Sequence, residues 1–219
     1  MASASRPSNV TRATFARVMN DTRWVLLMVQ LPTEPSRHRV AVWRELRKAG
    51  AVPVSAGTWA MPAGPAFQPA LDRAAELCRK GGGMLAVIDA SPRDDASGAM
   101  IEDAFRAARL DEWVEFEADC GKFEKEIAKE IAKAKFTFGE LEEEEQSLDR
   151  LRRWYRDLMK RDVLRLPEAH AAEQRLDGCE AVLEGYAELV YDVMRGATPS
   201  ADTPPAAAAD SPEQVPDAR

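Results

Sequence analysis

Residues 24–31 read WVLLMVQL, a run too short to cross a bilayer and too uniformly apolar to lie on a surface. Such a run is a strand sheltered on both faces, and MLAVID at 84–89 is a second one. Two sheltered strands require helices to cover them. The intervening sequence supplies those helices. In PTEPS, Pro32 and Pro35 end the first strand because neither can donate to a ladder, and Ser36 is a candidate N-cap. A helix over 37–49 follows, closed by Gly50, and Val40, Trp43 and Leu46 are expected to face the core. Strands at 52–55 and 58–61 flank Ala56-Gly57 and read as a hairpin. A second helix spans 67–80 with Leu71, Ala75 and Cys78 on one face, and Gly81, Gly82 and Gly83 end it.

The order is βαββαβ, which predicts an α+β fold of ferredoxin-like type over residues 23–118. SPRDDASG reads as a polar loop, with a helix over 99–109 after it. The stretch 111–118 fits two periods. Val114, Phe116 and Ala118 alternate as in an edge strand, whereas Trp113, Phe116, Cys120 and Phe123 keep helical spacing. We favour a short edge strand, then a helix from about residue 120 that carries Phe123, Ile127 and Ile131. Residues 119–196 read as a helical region. Thr137 or Gly139 begins a helix with Leu141, Leu148, Leu151, Tyr155 and Leu158 in heptad rhythm. A last helix carries Leu176, Cys179, Leu183, Tyr186, Val190 and Val193. The break at RDVLRLPEAH makes the two an antiparallel α-helical hairpin, and the same seam would equally suit a second subunit. Residues 1–22 are expected to be a flexible segment with a helical turn near 11–19. The Pro, Ala and acidic content of 197–219 predicts a disordered tail.

Charge and cysteines narrow the functional classes. A formal net charge of -7 opposes nucleic acid and anionic membranes in bulk, so DNA binding needs a local basic patch. Cys78, Cys120 and Cys179 form no CxxC pair and give no zinc ribbon. Their spacing fits a reduced cytoplasmic protein, and no secretory or membrane-spanning run is present in the sequence.

Two stretches resemble a known family. WVLLMVQLPTEPSRHRVAVWRELRKAGAVPVSAGTWAMP is similar to the opening of the chromate-resistance regulator ChrB and, more distantly, to the central domain of PaaX-type repressors. CGKFEKEIAKEIAKAKFTFGELEEEEQSLDRLRRWYRDLMKRD resembles the helical half of the same ChrB N-terminal region. The resemblance implies a regulator of chromate-efflux genes. The expectation is a transcriptional regulator that acts as a homodimer or with a regulatory protein, binds DNA and takes a chromate oxyanion as effector; the alternative is a protein-interaction module that binds no DNA. Full-length ChrB proteins carry a further C-terminal domain. PaaX-type repressors place a winged helix ahead of the shared domain, and two packed helices exceed what the residues before Trp24 are expected to hold.

The residues themselves offer one candidate surface. Arg37, Arg39, Arg44, Arg47 and Lys48 crowd the first helix, with Arg37, Arg44 and Lys48 near one face. Guanidinium forks suit phosphate, sulfate or chromate oxygens, and the helix N-terminus adds free N–H groups. The plain alternative is a solvated face partly paired with Glu45, with Trp43 in the core. The acidic run Glu140, Glu142, Glu143, Glu144 and Glu145 reads as a solvated helix start, because consecutive helical residues cannot share one ion. His38 and His170 suggest no dyad with a cysteine. The cysteines fall on apolar faces and read as core. The first strand ends in Gln30-Leu31, not in the Asp of the metal nucleases built on this fold, and Gly81–Gly83 precede a strand, so no nucleotide fingerprint forms. The expectation is a non-enzyme with no catalytic residue, metal or cofactor.

Overall fold

The computed structural model describes residues 23–196. The expectations for 1–22 and 197–219 lie outside the described residues. Strand β1 (Trp24–Gln30) leads into helix α1 (Ser36–Lys48), then β2 (Val52–Ser55), β3 (Thr58–Pro62), a single 3-10 turn, helix α2 (Gln68–Lys80) and β4 (Met84–Ala90). Helices α3 (Asp95–Ala132), α4 (Phe138–Arg161) and α5 (Glu168–Met194) follow and complete the described residues. The four strands form one sheet in the order β2-β3-β1-β4, and every neighbouring pair is antiparallel.

Alternation along β1 gives the sheet two buried faces. Val25 and Leu27, with Trp59 and Met61 of β3, pack under α1 and α2. Trp24 and its neighbours Ala60 and Val52 face α3, where the Trp24 and Phe105 rings meet edge to face at 5.5 Å. Each such large side chain removed from water contributes about 2 kcal/mol before entropy is counted.

Helix α1 turns a different face inward than its largest apolar residues suggest. Val42 and Leu46, four apart, are buried, while Val40 and Trp43 are 43% and 49% exposed. Only one stripe of a helix can reach the sheet, and Val42 and Leu46 fall on it with the half-buried His38 and Ala49. The N-cap position belongs to Pro35, without a side-chain cap, and Ser36 is the first helical residue. In α2 the buried stripe is Leu71, Ala74 and Cys78, with Ala75 only half-buried.

The largest correction concerns α3. No strand forms at 111–118, and the polar loop is shorter than expected. Asp94 accepts the Ser97 N–H at 2.8 Å and starts a helix that runs without a break to Ala132. Trp113, Phe116, Cys120, Phe123 and Ile127 are all buried on it, whereas Val114 is 64% exposed. Helical spacing therefore decided the conformation, and the alternation through Val114 was incidental. The last two helices pack against each other as the expected hairpin, and the C-terminal half of α3 joins them as a third helix. Thr137 caps α4 by accepting the Glu140 N–H at 3.3 Å. The seams of α4 and α5 are buried within the chain, through Leu141, Leu148, Leu158, Leu176, Leu183 and Val190. Among the described residues no helix is long and apolar enough to cross a membrane.

Candidate nucleic-acid interface

Arg37, Arg39, Arg44, Arg47 and Lys48 are all exposed on α1. Among the described residues none of the five has an ion-pair partner. Glu45, the single acid of α1, is not available to them. It faces α2 and binds Arg73 Nε at 2.6 Å. The Arg47 guanidinium instead lies over the exposed Trp43 ring, 5.4 Å from its centroid. The surface is thus a set of cations without acidic partners around a half-exposed indole that Arg47 covers on one face, in place of the expected core tryptophan. Cations bind phosphates and an open aromatic face stacks on a base.

The C-terminal end of α1 is held from outside the sheet. Arg109 of α3 donates from Nη1 to the Gly50 carbonyl at 3.1 Å, and Arg161 of α4 donates from Nη1 to the Lys48 carbonyl at 3.2 Å. These cations satisfy carbonyls that the helix end leaves free and oppose its negative dipole. Gly50 has φ +84°, and a Cβ there would stand 2.8 Å from Arg109 Nη1. Both the backbone and the close approach exclude a side chain.

A small buried ionic group supports this junction. Arg109 Nη2 donates to Glu112 Oε1 at 3.1 Å, and its Nε lies 3.0 Å from Glu112 Oε2 but off the hydrogen-bond direction. Burial lowers the Arg109 pKa and Glu112 opposes that change. Asp162 Oδ2 accepts from Trp113 Nε1 at 3.1 Å and from the Leu166 N–H at 3.0 Å. No sequence signal pointed to this group, because its members lie far apart and none sits in a motif.

Between α1, α2, α3 and α4 lies an open cleft of about 560 Å³. Arg47 and Lys48 reach its wall, with Arg73, Trp154, Lys160 and Arg161. Glu45, Glu112, Glu115 and Asp157 share it, so its charge is mixed and the basic character belongs to the outer face of α1.

The model of the family described as Protein ChrB, N-terminal, matches residues 39–197. The chain belongs to this family. The ChrB N-terminal match begins inside α1 at Arg39 and takes in Arg44, Arg47, Lys48, the cleft and all three long helices. Arg37 and β1 precede it. No curated protein matches the chain.

The remaining candidates are placed as follows. Cys78, Cys120 and Cys179 are free and buried. Burial pushes the Cys78 thiol up, and Cys179 Sγ, 3.6 Å from the Cys120 carbonyl, is raised by its contact with Cys120 and by burial. Thiols held protonated in this way are poor nucleophiles. His170 sits beside Glu173 and Gln174 of its own helix. In the acidic run, Glu140 binds Lys135 at 3.0 Å, and Glu144 is buried, not solvated as expected.

Burial raises the Glu144 pKa, and Glu126, Glu130, Glu140 and Glu143 add to the shift. The folded state therefore holds this proton more tightly than the unfolded chain. That stability is present below the ordinary carboxyl pKa and is lost as pH rises through the folded value. Glu144→Gln is expected to melt above the unaltered chain at neutral pH, with the gap closing near about pH 4. Thermal melts across that range check it, and equal melting at neutral pH would contradict the assignment.

Proposed function

We propose that this chain is a regulatory, non-catalytic protein of chromate resistance, acting in transcription and contacting DNA through the outer face of α1. The observation that carries the reading is the free cation set of α1 around exposed Trp43, with Glu45 drawn away to Arg73. Membership of the ChrB N-terminal family supports the link to chromate. The strand order β2-β3-β1-β4, antiparallel throughout and joined by two covering helices, supports a ferredoxin-like reading of the sheet. In this reading chromate is the effector oxyanion, the compartment is the cytoplasm, and no metal or cofactor takes part.

Fluorescence anisotropy on the chain's own upstream DNA tests the proposal, run across a salt series with and without chromate. The expected result is salt-dependent binding that chromate shifts. Arg44→Glu should weaken binding about tenfold on every sequence and flatten the salt slope by about one to two. Unchanged affinity in Arg44→Glu removes α1 from the interface. Absence of binding at physiological salt favours a protein-interaction module instead, as the net charge of -7 would suit.

A further inference from the structure

The sheet has two edges, and they are built differently. β2 is short, carries Pro53 and loses register between Pro53 and Ser55. Proline and a bulge are the usual ways in which an edge refuses a further strand. β4 has neither. Its seven residues, MLAVIDA, pair with β1 without interruption from Trp24–Ala90 to Gln30–Met84. Asp89 is its single charge. Among the described residues no strand or loop bonds to its outer side. Met84, Val87 and Ile88 remain 54%, 46% and 46% exposed, and Met28 of β1 is exposed beside them. An unblunted apolar strand with a free ladder is a template for another strand.

We propose that β4 pairs with β4 of a second copy, antiparallel about Val87, merging two four-stranded sheets into one. The strand's own sequence selects that occupant. A two-fold axis at Val87 sets Val87 against itself, Ala86 against Ile88, and Met84 against Ala90. On the face shared with Met28, positions 84, 86, 88 and 90 are Met, Ala, Ile and Ala, so every cross-strand pair there is apolar. A slip of one residue would set this face against the side that carries Asp89, which disfavours that register; about Val87, Asp89 stands opposite Leu85 on the other face. The contact is isologous and consumes both β4 edges. Only the blunted β2 edges remain, so assembly stops at two copies.

Sedimentation velocity on the full chain from about 1 to 100 µM reads the outcome through mass action. The expected mass is twice that of the 24.2 kDa chain. The double variant Val87→Lys/Ile88→Lys sets like charges across the axis at exposed positions. It should associate roughly 100-fold more weakly with an unchanged circular dichroism spectrum. A second variant, Val87→Cys, places its thiols directly opposite across the axis. Mild oxidation with a small-molecule disulfide should yield a covalent dimer on a non-reducing gel. A single-chain mass throughout the range overturns the proposal. A dimer that both withstands the lysine pair and forms no cross-link with Val87→Cys overturns it equally.

Discussion

Gly83→Ala is expected to lower the unfolding free energy by about 3 kcal/mol or more. The reason is steric contact between two backbones, not conformational preference. A Cβ at Gly83 would lie 2.0 Å from the Gln30 carbonyl oxygen and 2.8 Å from Leu31 Cδ2. Gln30 closes β1 and pairs with Met84 at the start of β4, so neither chain can withdraw without opening the ladder. Gly185 is the internal control. It lies inside α5, and a Cβ there meets nothing within 4 Å. Gly185→Ala should stabilise the chain by roughly 0.5–1 kcal/mol through helix propensity alone. Urea unfolding of the two variants should thus move the midpoint in opposite directions. A Gly83→Ala midpoint equal to that of the unaltered chain would remove the close approach from the description.

Trp113→Ala is expected to cost about 4 kcal/mol. The side chain is 1% exposed and meets Phe116 edge to face at 6.2 Å and Tyr155 at 5.8 Å. Its Nε1 also donates to the buried Asp162. Trp113→Phe separates the two contributions. It keeps most of the ring contact and removes the donor, while Asp162 retains the Leu166 N–H. A loss of about 1–2 kcal/mol is expected for it. Denaturant midpoints for the two variants provide the comparison. If alanine proves no worse than phenylalanine, the aromatic cluster contributes little and the polar contact dominates.

The strands and first two helices were legible because burial on two faces leaves a mark in the sequence. WVLLMVQL shows it directly; MLAVID, expected to be sheltered on both faces, is instead an edge strand with no buried residue, because β1 pairs with only one of its sides. Ala56-Gly57 shows the turn between β2 and β3, where Gly57 has φ +73°. The start of α3 was missed because Asp94 caps through a residue in a polar stretch that also fits a loop. The middle of α3 was ambiguous because Val114, Phe116 and Ala118 satisfy a period of two by accident over a short window. Val40, Trp43 and Leu46 keep a spacing of three, which drifts round the helix, whereas the stripe that reaches the sheet runs through Val42 and Leu46, four apart, and leaves Trp43 outside. The basic residues were legible as types, but their freedom from partners depends on where Glu45 points, and only the packing of α2 settles that. The Arg109, Glu112, Arg161 and Asp162 group is a product of tertiary approach between residues distant in sequence, and composition carries no trace of it.

The length of α3 has a mechanical consequence. Its 38 residues make a rod of about 57 Å at 1.5 Å per residue. One end lies on the sheet through Ile101 and Phe105, the other lies among α4 and α5 through Phe123 and Ile127, and Arg109 grips the end of α1 from between them. A continuous hydrogen-bonded helix has no hinge at which a displacement could be absorbed. The same helix thus joins the sheet, the helical region and, through Arg109, the turn that ends α1, so a displacement of the rod would carry with it the contact that holds the charged helix.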